Sequence, residues 1–343
     1  MSRYLTVSAS GGTDIGRNRD HNEDTVLLRA DLNLFIVADG AGGHNAGNVA
    51  SALATTSLAN AFESTAKSFP GSEEEDDLGP PAARRLATAI HRANKDIVEI
   101  AKSSNKYKGM GTTVVAASFT TETGALHIAH VGDSRCYRLR GGMLEQLTYD
   151  HSLLNDVLEM RPDIDDAALA RLPRHVVTRA LGMDDDIRVS VRTYRVVPGD
   201  RYLLCSDGLT DALDDETIAD KLGQHALTPD SIVRAFIEAA LFCGADDNIA
   251  ALVLLVEATD QEAVHYPRRF HKAKPKARPQ VDAPPPMRGQ MGSAPEIIVV
   301  GVEEHDGDAP IHIVPADSAT PSLLDAFAGL RSMRARRPSN PGD

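Results

Sequence analysis

Four separate apolar runs in this chain each carry an aspartate at one end, beside glycine or another small residue. That repeated placement limits what the chain can build. The segments are IVADGAGGH (36–44), HVGDSRCY (130–137), LLCSDGL (203–209) and GADDNIA (244–250), the last with its apolar run following the acid. A strand end is a rigid mount, and small neighbours let backbone and ligand approach closely. One Asp-Gly after a strand reads first as a turn. Four of them support a second reading, in which Asp39, Asp133, Asp207 and Asp247 meet in one place. Carboxylates so gathered repel and raise one another's pKa. Divalent cations relieve that repulsion, and an oxygen-rich set without clustered Cys or His suits Mg²⁺ or Mn²⁺ better than zinc.

The rest of the pattern sets the fold class. Strands are predicted at 32–39, 112–119, 125–133, 134–140, 141–148, 201–207 and 248–256, and helices at 46–64 and 82–103. The second helix places Leu86, Ile90, Ile97 and Ile100 on one face. Runs of strands interrupted by paired helices exclude a regular doubly wound sheet and favour a layered α+β fold. At 343 residues and 42% hydrophobic, the chain can bury a large core, built from aliphatic residues because it has no Trp. Cys136, Cys205 and Cys243 show neither zinc spacing nor a disulfide framework, and all three are expected in the core.

A formal net charge of −13 argues against a nucleic-acid binder. The start, MSRYLTVSAS, has no apolar signal core, and no run reaches the roughly 20 apolar residues of a membrane span. A cytoplasmic monomer is the expectation. Most of the 19 prolines fall after residue 260. The division is therefore a domain over 1–259 and a Pro-rich linker and tail over 260–343, expected to be largely disordered. Within that tail lie a basic cluster (268–278), a β-prone segment (296–304) and a short amphipathic helix near 321–335 carrying Leu323, Leu324, Phe327 and Leu330. That helix is a candidate docking element for a kinase or adaptor.

A fifth segment, TDIGRNRDHNEDTVLL (13–28), brings Arg19 before the acidic pair Glu23 and Asp24. Arg19 reads either as a surface charge pairing with Asp20 or Glu23, or as a guanidinium for two phosphate oxygens. The motifs TDIGRNRDHNED, VADGAGGH, GTTVVAA, HVGDSRCYRL, LTYDHS, VVTRALG, GDRYLLCSDGL and DDNIA occur in this order over about residues 4–256. In that series the chain resembles the bacterial PP2C-like (PPM) serine/threonine phosphatases.

The resemblance implies a four-layer α-β-β-α sandwich of two antiparallel sheets flanked by helices. It implies two or three Mn²⁺ or Mg²⁺ ions. Asp39 would bridge two of them, with the Gly40 carbonyl on one and Asp207 and Asp247 on the other. Asp133 would hold the third, sharing Asp207. Glu23 and Asp24 would steady metal-held waters, and Arg19 would bind the phosphate. Arg19 and Asp39 are thus the catalytic candidates. The implied reaction is in-line attack by a metal-bridging hydroxide on phosphoserine or phosphothreonine in proteins, opposing a Ser/Thr kinase. The alternative is a catalytically weak relative that binds or scaffolds phosphoproteins. Ala41 stands where eukaryotic members carry a His proposed as general acid. His44 fits the bacterial DGxGGH pattern and is expected to support the glycine turn, and His151 is expected to be structural. Residues 153–177 match the family's flap, with LPRH (172–175) departing from its usual HPxRN.

Overall fold

The computed structural model describes residues 3–42, 46–65, 79–120, 123–173, 175–259, 296–302 and 311–312. In chain order the first half gives β1 (Arg3–Asp14), β2 (Asp24–Arg29), β3 (Leu34–Ala41), α1 (Ala46–Ser64), α2 (Pro81–Ser103), β4 (Gly111–Thr112), β5 (Val114–Thr120), β6 (Ala125–Val131), β7 (Arg135–Arg140) and β8 (Met143–Gln146). The remainder gives α3 (Leu153–Met160), α4 (Asp166–Leu169), β9 (Ser190–Arg195), β10 (Arg201–Cys205), α5 (Asp207–Thr210), α6 (Asp215–Leu222), α7 (Pro229–Phe242), β11 (Ile249–Thr259), β12 (Glu296–Val302) and β13 (Ile311–His312). Two sheets result. One runs β12-β1-β11-β10-β7-β8 and the other β13-β9-β6-β5-β3-β2, with β4 pairing β3 aside from that path. Neighbouring strands pair antiparallel in both.

Strand alternation explains why several runs are apolar at every position. In β3, Phe35 and Val37 point between the sheets, while Leu34, Ile36 and Ala38 point outward. In β11, Ala250, Leu252, Leu254 and Val256 face inward, and Ala251, Val253 and Leu255 face outward. Both faces of each strand are covered, so both registers must be apolar. The outer face of the second sheet packs against Ala50, Ala54 and Leu58 of α1 and Leu86, Ile90 and Ile97 of α2. The outer face of the first packs against Ile218 and Leu222 of α6 and Ile232, Val233 and Phe236 of α7. The four-layer α-β-β-α sandwich follows from these three cores.

Helix ends are set locally. Pro81 opens α2 at a position whose N–H has no helical partner. The Thr228 hydroxyl accepts from the Ser231 N–H to cap α7, with Pro229 in the first turn. Between the helices of the second layer, the Ser57 hydroxyl donates to Asp96.

One expectation is corrected. Cys136 and Cys205 are buried, but Cys243 is exposed, at the C-terminal end of α7 where the helix meets solvent. The apolar letters around it, LFCG, do not make a core, since Phe242 is exposed too. The β-prone piece of the tail is a strand: β12 pairs antiparallel with β1, Leu5 opposite Val300 and Val7 opposite Ile298. The docking helix near 321–335 and the basic cluster at 268–278 lie outside the described residues. Among the described residues no helix is long and apolar enough to cross a membrane.

Candidate active site

The aspartate-bearing ends of β3, β6 and β10 and the start of β11 share one end of the sandwich. Asp39 sits near the end of β3, opposite Asp24 at the start of β2. Its carbonyl accepts from the Thr113 N–H at 2.8 Å and from the Thr112 hydroxyl at 2.8 Å. Its own N–H donates to the Thr113 hydroxyl at 3.3 Å. The Asp39 side chain reaches both the Asp24 and the Asp207 carboxyls. Burial, then the charges of Asp24, Asp207 and Asp133, hold its pKa well above the usual carboxylate range. Asp207 is raised by burial and by Asp211 and Asp247. Asp133 is pushed up to about 7 by burial and by Asp207.

Asp24 lies beneath this group, 7% exposed. Burial pushes it up to about 8 against a 2.7 Å hydrogen bond from the Ser206 hydroxyl, with Asp207 and Asp247 adding to the rise. Its other oxygen, Oδ1, is buried with no hydrogen-bond partner. Glu23 turns instead to the first turn of α1, where its carboxylate accepts from the Gly47 N–H; burial raises its pKa against that bond. This junction demands glycines. A Cβ on Gly40 would lie 2.1 Å from the Gly47 carbonyl oxygen, and a Cβ on Gly47 would lie 2.6 Å from the Glu23 carboxylate. The Gly40 N–H donates to the Glu23 carbonyl at 3.1 Å.

The Asp133 turn is anchored from two sides. The His151 ring accepts from the Gly132 N–H at 3.0 Å through Nδ1, and its Nε2 meets the Ser190 hydroxyl at 2.9 Å. Burial and the neighbouring His130, stacked 4.6 Å away, keep His151 neutral by lowering its pKa. The Ser134 hydroxyl meets the Thr113 hydroxyl at 2.7 Å, so one buried contact ties the Asp133 turn to the Asp39 strand. At the outer rim Arg19 pairs with Asp247 at 2.6 Å, the two side chains 51% and 40% exposed. Beside it, Asp246 accepts from the Asn18 side chain at 2.7 Å. His44 lies outside the described residues. The segment expected to match the flap carries α3 and α4, and His175 meets Asp211 at 3.4 Å.

The structure therefore brings Asp39, Asp133 and Asp207 together, with Asp24 below and Glu23 to one side, and turns Asp247 toward Arg19. Sequence reasoning missed the partners: Gly47, Thr113, Ser134, Ser206 and Asn248. Gly47 lies at a helix start, Ser134, Ser206 and Asn248 each follow or precede an acid, and Thr113 stands between two strands, but nothing in one sequence marks such a polar group as a clamp. Among the described residues no three of His, Cys, Asp and Glu close around a single point. The donor set still fits a hard cation. It is all oxygen, its members hold one another's pKa values up, and one buried carboxylate oxygen is unpaired. Such cations keep several waters and need few protein ligands each.

A family model for Protein phosphatase 2C matches residues 12–240. The chain belongs to the protein phosphatase 2C family. Among relatives in that family, the serine/threonine phosphatase stp of Listeria monocytogenes is 38% identical over 248 residues, 71% of this chain and 93% of its own length. The serine/threonine protein phosphatase PstP of Mycobacterium tuberculosis is 35% identical over 250 residues, 73% of this chain and 45% of its own length. The crystal structure of the M. tuberculosis phosphatase PstP/Ppp aligns with a TM-score of 0.62 at 32% identity, over 74% of this chain and 99% of that one. The PstP catalytic domain in complex with two manganese ions aligns at 0.61 with 33% identity, over 74% of this chain and 99% of that one. Membership of the protein phosphatase 2C family accounts for the two sheets and the helices outside them.

The raised carboxyls carry a stability signature. A group whose folded pKa exceeds its unfolded value holds a proton that the unfolded chain releases, so stability falls as pH rises between the two values. For Asp24 and Asp133 that window runs from the ordinary value near 4 to about 8 and about 7. The metal-stripped protein is therefore expected to lose melting temperature steadily from about pH 5 to about pH 8, and added Mn²⁺ is expected to restore it most at the alkaline end. Melting curves across that range check this; a flat profile in chelator would contradict the clustering.

Proposed function

We infer that the chain is a metal-dependent protein-serine/threonine phosphatase that hydrolyses phosphoserine and phosphothreonine in proteins, opposing a Ser/Thr kinase. The carrying observation is the convergence of mutually perturbed aspartates beside an exposed arginine, in a member of the protein phosphatase 2C family. Asp39 and the Gly40 carbonyl would hold one ion, Asp39 with Asp207 and Asp247 a second, and Asp133 with Asp207 a third. Mn²⁺ or Mg²⁺ would serve. When bound, these ions supply charge to the phosphoryl oxygens and acidify the attacking water.

The side chains do the rest. Arg19, half-exposed at the rim, binds two phosphoryl oxygens and orients phosphorus for in-line attack. Glu23, fixed by the α1 N-terminus, and Asp24, fixed by Ser206, accept hydrogen bonds from water in the site. Water is the nucleophile. The Cys136 and Cys205 thiols are buried, and burial pushes Cys205 up to about 12 and raises Cys136 as well, away from the reactive thiolate. Ala41 has no proton to give, so the leaving oxygen takes its proton from another source.

Arg19→Ala removes charge-assisted hydrogen bonds to phosphate. Its expected cost is roughly 10- to 100-fold in kcat/KM, the scale of about 1.5–3 kcal/mol for such bonds. Arg19→Lys should recover part of it, since a point charge replaces a fork. Steady-state kinetics on p-nitrophenyl phosphate and a phosphothreonine peptide decide this. A loss below about twofold, less than about 0.5 kcal/mol, would remove Arg19 from phosphate binding.

A further inference from the structure

The loop that carries Arg19 is sewn to the segment that carries Asp247, and one buried side chain makes most of the stitches. Asn248, 5% exposed, donates through its amide nitrogen to the Ile15 carbonyl at 2.8 Å and the His21 carbonyl at 3.0 Å. Its amide oxygen accepts from the Glu23 N–H at 2.8 Å. Both amide hydrogens and the oxygen are thus used, across more than 220 residues of sequence. Its backbone N–H donates to the Asp247 carboxylate at 2.7 Å. Further bonds run alongside: the Arg17 N–H to the Ala245 carbonyl at 3.1 Å, and the Asn18 side chain to Asp246 at 2.7 Å. The contact is too close for a side chain at Gly16, whose Cβ would lie 2.0 Å from the Asp247 carbonyl oxygen.

Among the described residues Arg19 is held by an exposed ion pair with Asp247, and such pairs are weak. Its position must therefore come from the loop, and the loop's position from Asn248. We propose that Asn248 is a positioning residue for phosphate recognition, holding residues 15–23 so that Arg19 stands over the aspartate cluster. This rests on the reading of Arg19 as the phosphate-binding arginine. Asparagine is the one common side chain of this size that donates twice and accepts once. Aspartate would set its charge against two backbone carbonyls, and alanine would leave all three groups without partners.

The test is a double-substitution cycle on the full chain with Mn²⁺: wild type, Asn248→Ala, Arg19→Ala and both together. The readouts are KM and kcat on p-nitrophenyl phosphate and the inhibition constant of inorganic phosphate. Asn248→Ala is expected to raise KM and the phosphate inhibition constant on the order of 10-fold or more, as misplaced positioning groups do. In the Arg19→Ala background it is expected to add nothing, because its effect passes through Arg19. Asn248→Asp should behave like Asn248→Ala, and if the alanine variant does not fold, the cycle is run with Asn248→Ser. Full additivity of the two losses overturns the proposal while leaving Arg19 in phosphate binding. A lowered melting temperature with unchanged KM and phosphate inhibition overturns it as well. An Arg19→Ala protein with wild-type phosphate inhibition overturns both the proposal and the reading beneath it.

Discussion

Asp39→Asn is expected to bring metal-dependent hydrolysis of p-nitrophenyl phosphate down to background while leaving the metal-free fold at least as stable as wild type. The two halves have the same cause. Asp39 faces Asp24, Asp207 and Asp133, and burial with those charges raises its pKa strongly. An asparagine of the same shape removes one like charge, so without metal the cluster relaxes. The backbone bonds that hold the position, from Thr113 N–H and Thr112 hydroxyl to the Asp39 carbonyl, are untouched. On the proposed reading Asp39 would hold the metal ions, and a neutral amide is a poorer ligand for a hard cation than a carboxylate, so catalysis is expected to go. Melting curves in chelator and in Mn²⁺, beside the activity assay, check both halves. A clear drop in chelator melting temperature would make Asp39 a structural residue instead.

Asp200→Ala should do the reverse: a large loss of stability with the chemistry retained. Asp200 is fully buried at the turn between β9 and β10. It accepts from Arg140 at 2.7 and 2.8 Å, from the Tyr202 hydroxyl at 2.8 Å and from the Val197 N–H at 3.0 Å. Removing it leaves a half-buried guanidinium, a buried phenol and a backbone N–H without that acceptor. Breaking a buried pair in this way costs about 3–5 kcal/mol. The partial exposure of Arg140 points to the lower end. At roughly 2–4 °C per kcal/mol for a domain of this size, the melting temperature should fall by about 6–12 °C. Asp200 and Asp207 stand at opposite ends of β10, so kcat measured well below the transition should stay near wild type. A loss of kcat without loss of stability would contradict this division.

The parts legible in the sequence are those with a strong local signal. Helix α1 falls at 46–64 as read, and β3, β6, β7 and β10 match their apolar runs to within a few residues. Strands β3 and β10 are buried on both faces, which makes their runs continuous, whereas β7, RCYRLR, keeps partly exposed arginines between its buried residues. Strand β1 was not legible. It alternates Leu5, Val7 and Ala9 toward the core with Ser8 and Ser10, a pattern too weak in apolar contrast to stand out. Strand β9, SVRTYR, carries few core residues and takes its place from pairing with β6. Helices α6 and α7 begin at caps, Asp214 and Thr228 with Pro229, which in the sequence alone also read as turn residues.

The site divides in the same way. Aspartates at strand ends announce themselves, because an acid closing an apolar run is locally unusual. The polar groups that aim them do not. Thr113 reaches Ser134, Ser206 reaches Asp24, and Asn248 reaches Ile15 and His21, and each contact exists only once distant strands are registered. The Arg19–Asp247 pair is of that kind too: local reading offered Asp20 or Glu23 as partners, and the fold supplies Asp247.

The most direct measurement is phosphate release from phosphoserine and phosphothreonine peptides by the metal-stripped chain, before and after Mn²⁺ is added, with Asp207→Asn in parallel. Release is expected only from the wild-type chain and only with metal. Equal release in chelator, equal release from Asp207→Asn, or none from the wild type with Mn²⁺ or Mg²⁺ would contradict a metal-dependent phosphatase built on these aspartates.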